Sequence, residues 1–337
     1  MEDGFLRSKR KASSRTAPLS LTIDRQRPYF DCRGPSDLED LLMNTSFEPE
    51  LLERARHAIS VIVDAGLTKY NGSGEASSNG ILTEGKRRIL VVGQVEQDAS
   101  IRYGLPKPMK NNDLVRIAAA ENPEATIIYR PHPDVLAGVR PMGSDPAEVA
   151  HICQVDVLPR PLADVLSSVD HVYTMTSLVG FEALLRKIPV TVLGAPFYSG
   201  WGLTDDRHDT GRRSRTLTLE ELFVGAYISY PDYFDPHTGE PWTMEQAMEW
   251  LMDKSVDDRS DLVSEQFSKG VEWKMWGAYG LFGWRHMLTP LVAPVVAHIG
   301  NASEARNYRA NPIEFFRELP TPMHRLLGRL LYPFDDT

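Results

Sequence analysis

Short continuous runs of apolar residues alternate with polar loops through the middle of the chain. Ile89 to Val92 is such a run, and it ends at Gly93 in a polar loop. A run of this length between polar flanks is typical of a strand that is buried on both faces, as in a parallel sheet. The pattern predicts strands at 88–95, 125–130, 170–174 and 188–193, and helices at 111–121, 161–168 and 177–186. Since strands and helices alternate, we expect βαβ crossovers in an α/β, Rossmann-like domain whose parallel sheet is flanked by helices.

The first part of the chain has a different pattern. Leu19 to Ile23 alternates apolar and polar residues, and Tyr29 to Cys32 follows a turn, so two short strands are predicted. Ser36 with Glu39 matches a capping box and predicts the start of a helix. Apolar residues recur at helical spacing from Glu48 to Ala65 and predict a second helix.

Polar and aromatic segments suggest the domain boundaries. Asn71 to Gly80 is predicted to be a flexible connector. We therefore expect an N-terminal α+β segment at 1–80, a Rossmann-like domain at 81–252 with helices at Leu217–Tyr227 and Met244–Met252, and a helical tail at 253–337. The tail carries the aromatic-rich string GVEWKMWGAYGLFGWRH. Such a cluster is usually a buried or partner-facing patch, and contact with a membrane surface is the weaker alternative.

Length and composition narrow the class of protein. At 337 residues, with 42% hydrophobic and 25% charged residues, the chain fits a soluble globular protein of about two domains. The net charge of −9 argues against a nucleic-acid partner. Cys32 and Cys153 are far apart and match neither a disulfide framework nor a metal site. Without a signal peptide, and with the longest apolar run broken by Pro290 and Pro294, the protein is expected to be cytoplasmic.

Three polar loops follow predicted strands and are candidates for chemistry. The first contains Gln94, Glu96, Gln97, Asp98 and Ser100. Ligands of open α/β sheets bind at the carboxyl edge, where this loop leaves the sheet. The alternative is an ordinary solvated loop.

The second loop is Arg130-Pro131-His132-Pro133. Its prolines stiffen the turn that carries His132, and this imidazole could bind a phosphate or transfer a proton. The alternative is a histidine with a structural hydrogen bond.

The third loop, Thr174 to Ser177, precedes a predicted helix. Hydroxyls of Thr176 and Ser177, together with free backbone N–H groups at a helix N-terminus, could bind an anion, although a plain N-cap is the alternative. Glu182, farther into that helix, could accept hydrogen bonds from ribose hydroxyls or simply be a surface charge. Three such loops at one sheet edge suggest a nucleotide-phosphate site. The arginines Arg212, Arg213 and Arg215 are expected to form a solvated face.

Several strings resemble the capsule-polysaccharide synthesis glycosyltransferases of the KpsC type. They are EDGFLRS at 2–8, PLSLTID at 18–24, YFDCRGPSDLEDLL at 29–42, TKYN at 68–71, ILVVGQVEQDASIRYG at 89–104, NPEATIIYRPHPDVLAG at 122–138, TMTSLVGFEALL at 174–185, GAPFYSGWGLTDDR at 194–207 and YPDYFDPHTGE at 230–240. The resemblance is specific, because these strings have little compositional reason to recur together in this order.

The resemblance implies a GT-B transferase that moves Kdo, an acidic sugar, from CMP-β-Kdo without a metal or other cofactor. It implies that Asp98 is the nucleophile of a retaining double displacement, since β donor and β product require two inversions. The expected nucleotide-binding residues are His132, Pro133, Thr176, Ser177 and Glu182. The expected supporting residues are Glu2, Asp3, Gln94, Glu96 and Arg130.

The implied biology is synthesis of the β-Kdo linker and export-linked assembly of capsular polysaccharide. The expected partners are the CMP-sugar donor, a lipid-linked saccharide acceptor and other capsule proteins at the inner face of the cytoplasmic membrane. Family members carry a further Rossmann-like domain before the EDGF segment, so we expect either a truncated module, which needs a partner or is inactive, or a sequence that starts late. The main alternative is a non-catalytic module that binds CMP-sugar in capsule assembly or export, and a more distant one is a nucleotide-sugar epimerase.

Overall fold

The computed structural model describes residues 2–8, 18–69, 71, 86–136, 138, 140–158, 160–236, 238–253, 289–299 and 308. The chain divides into two compact units, Met1–Asp257 and Asp258–Thr337. In the second unit the described part is mainly one helix, Thr289–Ile299, with Pro294 inside it. The predicted connector after Asn71 and the aromatic-rich string of the tail lie outside the described residues. Within the described ranges no helix has the length and apolarity that a membrane span requires.

The described residues of the first unit form ten strands in two sheets. They are β1 (Glu2–Asp3), β2 (Ser20–Thr22), β3 (Arg88–Val92), β4 (Thr126–Arg130), β5 (Gln154–Val155), β6 (His171–Thr174), β7 (Val190–Val192), β8 (Asp205–Asp206), β9 (Asp232–Phe234) and β10 (Pro241–Trp242).

The α-helices described in this unit lie between these strands, except for the last, which follows β10. They are α1 (Asp37–Asn44), α2 (Pro49–Asp64), α3 (Ala99–Gly104), α4 (Asn111–Glu121), α5 (Pro133–Leu136), α6 (Leu162–Ser167), α7 (Val179–Leu185), α8 (Leu219–Phe223) and α9 (Met244–Met252). A 3₁₀ turn covers Pro146–Val149, and α8 continues as a π-helix over Val224–Ser229.

The larger sheet has six parallel strands in the order β5-β4-β3-β6-β7-β8. The central strand β3 pairs with β4 on one side and with β6 on the other. Leu90 and Val92 point into one hydrophobic cluster, whereas Ile89 and Val91 point into a second. The apolar run at 89–92 is therefore buried on both faces, which confirms the predicted parallel sheet flanked by helices.

The smaller sheet is antiparallel, in the order β1-β2-β9-β10. It confirms the strand predicted within Leu19 to Ile23. The strand predicted at Tyr29 to Cys32 is wrong, since these residues form turns. The Asp31 carboxylate accepts hydrogen bonds from the backbone and side chain of Arg33, and the Tyr29 ring packs on Phe5, so side-chain contacts fix this segment without a ladder.

The N-terminal segment and the parallel sheet share one hydrophobic core. Phe5 contacts the rings of Phe197 and Tyr227, and Leu19 and Leu38 are fully buried in the same cluster. Residues on both sides of the predicted boundary near residue 80 thus lie in one compact unit. This packing brings Glu2 and Asp3 into the same unit as the parallel sheet.

Two helix starts are built as the sequence predicts. Ser36 Oγ accepts the backbone N–H of Glu39 at 3.1 Å, and Pro49 occupies the first turn of α2. The second half of the predicted capping box, in which the Glu39 carboxylate would accept the backbone N–H of Ser36, is wrong. The buried Glu39 carboxylate instead accepts from Arg212 at 2.6 Å and Arg213 at 3.0 Å.

The arginine cluster at 212–215 is not the solvated face that was expected. Arg213 is almost fully buried, donating to the carbonyl oxygens of Pro196 and Ser199 as well as to Glu39. Arg215 donates to the carbonyl oxygen of Thr45 at the end of α1. These guanidinium groups fasten α1 to the loop after β7.

Candidate functional site

The three polar loops singled out in the sequence lie at one edge of the parallel sheet. They follow β3, β4 and β6, which are adjacent parallel strands, so their carboxyl ends meet. The backbone N–H of Gly93 donates to the carbonyl oxygen of Arg130 at 2.8 Å and joins the first two loops. The placement predicted for 94–100, 130–134 and 174–178 is confirmed.

Gln94 ties the first loop to the third. Its Oε1 accepts the backbone N–H of Thr176 at 2.9 Å, and its Nε2 donates to Thr176 Oγ1 at 3.0 Å. The Asn111 side chain holds the Gln94 backbone from the other side, with hydrogen bonds of 2.9 and 2.8 Å. Since Gln94 is buried, these bonds fix the position of the third loop relative to β3.

The third loop differs in detail from the predicted anion cradle. The backbone N–H of Thr176 donates to Gln94, that of Ser177 to Thr174 Oγ1, and that of Val179 to Ser177 Oγ. The helix α7 begins at Val179 and its N-cap residue is Leu178, rather than the hydroxyl-bearing Thr176 or Ser177. The backbone N–H groups of Thr176 and Ser177 are therefore already hydrogen-bonded within the protein, and they are not free to bind an anion. The hydroxyl groups of Thr176 and Ser177 retain their own protons as donors.

His132 sits in the turn that leads from β4 into α5, and Pro133 is the first residue of that helix. His132 Nδ1 accepts the backbone N–H of Asp134 at 3.2 Å. In the neutral imidazole this bond assigns the proton to Nε2, which makes Nε2 a donor. The side chain is one-third exposed, at 33%.

The side chain of Arg130 is part of an ion-pair cluster with the buried residues Asp156 and Arg160. Its guanidinium donates to Asp156 at 2.6 Å and to the carbonyl oxygen of Arg160 at 2.7 Å. Arg160 donates to the same Asp156 oxygen at 2.9 Å. Two cations share one carboxylate, so a net positive charge lies beside the turn of His132.

The two acidic residues of the first loop have different environments. Glu96 Oε1 accepts the backbone N–H of Asn111 at 2.9 Å and the hydroxyl of Ser144 at 2.5 Å, which ties the loop to α4. Asp98 is exposed and caps α3, where its Oδ1 accepts the N–H and the hydroxyl of Ser100 at 2.9 and 2.7 Å. The structure thus gives Glu96 a structural role and leaves Asp98 facing solvent.

The N-terminal segment brings further charges to this region. Burial raises the pKa of Glu2, and the charges of Asp3 and Asp98 raise it further, while Lys69 opposes the shift. Asp3 forms an ion pair with Arg7. Burial lowers the pKa of Lys69, and the carboxylates of Asp3, Glu182 and Glu2 oppose that shift. Glu2 therefore lies within electrostatic reach of both Asp98 and Lys69.

Glu182 is buried rather than exposed on a surface, with 3% of the residue accessible. Its Oε1 accepts the backbone N–H of Lys69 at 2.8 Å. Burial raises its pKa to about 7, against the opposing effects of the Lys69 N–H and the charges of Arg186 and Lys69. Glu182 was expected to bind the ribose, but one of its two carboxylate oxygens already accepts a hydrogen bond from the protein.

Sequence reasoning missed the cations of this region. Lys69, Arg7 and Arg186 were not among the predicted site residues, although Lys69 lies in TKYN and Arg7 in EDGFLRS, two of the strings that carried the resemblance. That signal was available in the sequence, but the packing that brings residue 69 beside residue 182 was not. In the described part of the chain, no group of three or more His, Cys, Asp or Glu side chains is placed to hold a metal ion.

Proteins with a described role align with most of this chain. It is 50% identical over 250 residues to the lipopolysaccharide-processing protein LpsZ of Rhizobium meliloti. It is 42% identical over 253 residues to the capsule polysaccharide modification protein LipA of Neisseria meningitidis serogroup B. These alignments cover 74% and 75% of this chain, but the chain spans 57% of the length of LpsZ and 36% of that of LipA.

Solved structures with the same fold include two from Thermosulfurimonas dismutans. The KpsC β-Kdo 2,4 transferase superposes with a TM-score of 0.68 at 36% identity, covering 75% of this chain and 78% of that one. The KpsC β-Kdo 2,7 transferase gives 0.61 at 36% identity, covering 74% and 76%. These likenesses confirm the resemblance to the KpsC type. Residues 1–233 match the family described as "Capsule polysaccharide biosynthesis protein", and the chain belongs to that family.

Proposed function

We propose that the chain is a glycosyltransferase module of capsule synthesis that transfers Kdo from CMP-β-Kdo to a lipid-linked saccharide with retention of configuration. The names of its structural neighbours, both β-Kdo transferases, support the reaction class. The observation that carries the proposal is the exposed carboxylate of Asp98 at the sheet edge shared by the loops of His132 and Thr176. A nucleophile beside a phosphate-binding edge is what a retaining transfer from a nucleotide sugar requires.

The donor phosphate would be held by neutral donors and one nearby positive charge. His132 Nε2–H and the hydroxyls of Thr176 and Ser177 can donate to phosphate oxygens, with Pro133 fixing the turn. The surplus charge of Arg130 and Arg160 over Asp156 adds a favourable field for an anion. Gln94 and Glu96 serve this site indirectly by holding its loops.

The chemistry proceeds in two displacements. Asp98 attacks C2 of Kdo as the bond from C2 to the CMP phosphate oxygen breaks, which releases CMP and leaves Kdo esterified to Asp98. The acceptor hydroxyl then attacks C2 from the opposite face, and the bond to Asp98 breaks. Glu2, whose pKa is raised by burial, takes the acceptor proton, while Asp3 keeps Arg7 in place.

The covalent intermediate supplies the test. The protein is incubated with CMP-β-Kdo without acceptor, and its intact mass is measured; we expect a Kdo adduct that maps to Asp98. Asp98→Asn should abolish both the adduct and transfer. Glu96→Gln, the matched carboxylate change in the same loop, should lower stability but retain the adduct.

Transfer is measured with a Kdo-terminated lipid acceptor, for the chain alone and for the chain joined to the preceding domain of a related Kdo transferase. An adduct that survives Asp98→Asn, or that disappears in a folded Glu96→Gln variant, would overturn the assignment of the nucleophile. Binding of CMP with neither adduct nor transfer in either form would favour the non-catalytic capsule-assembly alternative.

A further inference from the structure

We propose that Tyr198 is a positioning residue of the candidate site, which holds the peptide of Ser177 in place so that the Ser177 hydroxyl can donate to the donor phosphate. This inference rests on the proposed function, in which Ser177 binds the phosphate of CMP-β-Kdo. It also gives a task to the string GAPFYSGWGLTDDR at 194–207, which carried part of the resemblance but has no role in the proposed function.

The polar atoms of Ser177 are engaged in a way that leaves its hydroxyl as a donor. The backbone N–H of Ser177 donates to Thr174 Oγ1 at 3.1 Å, and its Oγ accepts the backbone N–H of Val179 at 3.2 Å. A serine hydroxyl has one proton and two lone pairs. Since the N–H of Val179 uses one lone pair, the proton of this hydroxyl is directed away from Val179 and can be given to a ligand oxygen.

Tyr198 reaches the same residue from the loop after β7. Its hydroxyl donates to the carbonyl oxygen of Ser177. The side chain of Tyr198 is fully buried, and its ring lies 6.1 Å from that of Phe181 on α7 and 5.3 Å from that of Phe197, centroid to centroid. A buried tyrosine hydroxyl needs a hydrogen-bond partner. The packing of the ring therefore fixes the hydroxyl, and the hydroxyl fixes the peptide that follows Ser177.

Gly180 makes room for this hydroxyl. A Cβ atom at Gly180 would lie 2.8 Å from Tyr198 Cζ and still closer to the hydroxyl oxygen. The backbone N–H of Gly180 also donates to the Ser177 carbonyl oxygen, at 3.1 Å. Two donors thus converge on one oxygen and use both of its lone pairs. The start of α7 is built around the contact between Tyr198 and Ser177.

The loop that carries Tyr198 is fastened by contacts of its own. Trp201 Nε1 donates to the carbonyl oxygen of Phe197 at 2.7 Å. Arg213, which is almost fully buried, donates to the carbonyl oxygen of Ser199 at 2.7 Å. Bonds on both sides of Tyr198 therefore hold its backbone, which is what a residue that positions another one requires.

Gln94 and Tyr198 divide the third loop between them. From the loop after β3, Gln94 binds the backbone N–H and the hydroxyl of Thr176. From the loop after β7, Tyr198 binds the carbonyl oxygen of Ser177. Both hydroxyls are thus in place before a ligand arrives, and binding costs the loop little conformational entropy. In the proposed function these hydroxyls meet only the phosphate, so the effect of Tyr198 should be confined to ligands that have one.

The test compares two ligands that differ only in the phosphate. Affinities for CMP are measured calorimetrically, and those for cytidine by competition with CMP, for the wild type, Tyr198→Phe and Ser177→Ala. We expect Ser177→Ala to bind CMP roughly 10- to 100-fold more weakly, as for one charge-assisted hydrogen bond, and Tyr198→Phe roughly 3- to 10-fold more weakly. Cytidine should bind both variants within about twofold of the wild type, because it makes no phosphate contact.

Tyr233→Phe is the matched control. It also removes a buried tyrosine hydroxyl that donates to a backbone carbonyl oxygen, that of Tyr227 at 2.7 Å. We expect Tyr233→Phe and Tyr198→Phe to lose comparable stability in urea unfolding, whereas only Tyr198→Phe should lose affinity for CMP. The change deletes a single oxygen from a packed ring, and the unfolding curve of each variant verifies that it is folded.

The double variant of Tyr198→Phe with Ser177→Ala asks whether Tyr198 acts through Ser177. A positioning role predicts that the double variant binds CMP no more weakly than Ser177→Ala alone. A double variant that is weaker by the full factor of Tyr198→Phe would overturn the proposal. Equal weakening of CMP and cytidine by Tyr198→Phe would overturn it as well, since it would show a general loosening of the site, and so would wild-type CMP affinity in that variant.

Failure of this inference is distinguishable from failure of the proposed function. If only the inference fails, the wild type binds CMP more tightly than cytidine, Ser177→Ala reduces that preference, and Tyr198→Phe does not. If the wild type binds cytidine and CMP alike, the phosphate site of the proposed function is refuted and the role of Tyr198 falls with it.

Discussion

Replacing Gln94 tests whether one buried amide holds the candidate site together. In Gln94→Ala the bonds from Oε1 to the Thr176 N–H and from Nε2 to Thr176 Oγ1 are lost, and a buried backbone N–H is left without its partner. With about 1 kcal/mol for each lost bond and about 1–3 kcal/mol for the orphaned donor, we expect the free energy of unfolding to fall by roughly 2–4 kcal/mol. CMP affinity should fall too, because the Thr176 hydroxyl is no longer fixed.

Gln94→Glu separates geometry from charge, since it keeps the shape of the side chain. A carboxyl group buried at this position has a raised pKa, so its destabilising effect grows as pH rises towards that pKa. We expect the variant to approach wild-type stability below about pH 4 and to lose stability as the pH rises from there to the raised pKa. Once the carboxyl group is ionised the variant should bind CMP weakly, because a negative charge adjoins the phosphate loops.

The assay is urea unfolding followed by circular dichroism, with calorimetric titration of CMP well below the melting temperature. Gln97→Ala, an exposed change in the same loop, is the control and should have little effect. If Gln94→Ala unfolds at the wild-type urea concentration, the hydrogen-bond reasoning is refuted. If it is destabilised yet binds CMP normally, the link between this amide and the site is refuted.

Three further changes have expected outcomes in urea unfolding. Glu39→Ala leaves the buried Arg213 without its carboxylate and should cost about 3–5 kcal/mol; an unchanged midpoint would contradict this. Since the pKa of Glu182 rises from 4.5 to about 7 on folding, the native state retains a proton that the unfolded chain loses in that window. Wild-type stability should therefore fall as pH rises through it, by roughly 3 kcal/mol at most, whereas Glu182→Gln should lack this component; parallel pH curves would argue against it. Gly180→Ala would bring a methyl group to 2.8 Å from Tyr198 Cζ and should cost about 1–3 kcal/mol, so wild-type stability would show that this contact yields.

The fold could be predicted from sequence wherever burial is continuous. The run Ile89 to Val92 is typical of a strand covered on both faces, and the structure has such a strand. Tyr29 to Cys32 has no such constraint, because four residues of mixed polarity fit a turn as well as a strand. The arginines near 212 were misjudged because their carboxylate partner, Glu39, is 173 residues away from Arg212 in sequence.

The candidate site, like the fold, could be predicted from the sequence only in part. Its loops follow from strand order, so the meeting of Gln94 with Thr176 was predictable in outline. The use of the Thr176 N–H by Gln94, and of the Lys69 N–H by Glu182, depends on side-chain packing that no local pattern encodes. Motif strings mark such residues without giving their roles. TKYN was noticed in the sequence, whereas the hydrogen bond from its lysine to Glu182 becomes visible only in the structure.

The pairing of β1 with β2 and of β2 with β9 has a consequence for the order in which the protein folds. Glu2 pairs with Thr22, and Ser20 pairs with Tyr233, so the strand next to the N-terminal carboxylates needs a partner from more than two hundred residues later. Closing so long a loop is slow compared with forming neighbouring βαβ units. On the ribosome, the parallel sheet through Asp206 can therefore collapse while Glu2 and Asp3 are still undocked. We therefore expect the candidate site to acquire its N-terminal charges only after Tyr233 emerges, and partial unfolding to release them first.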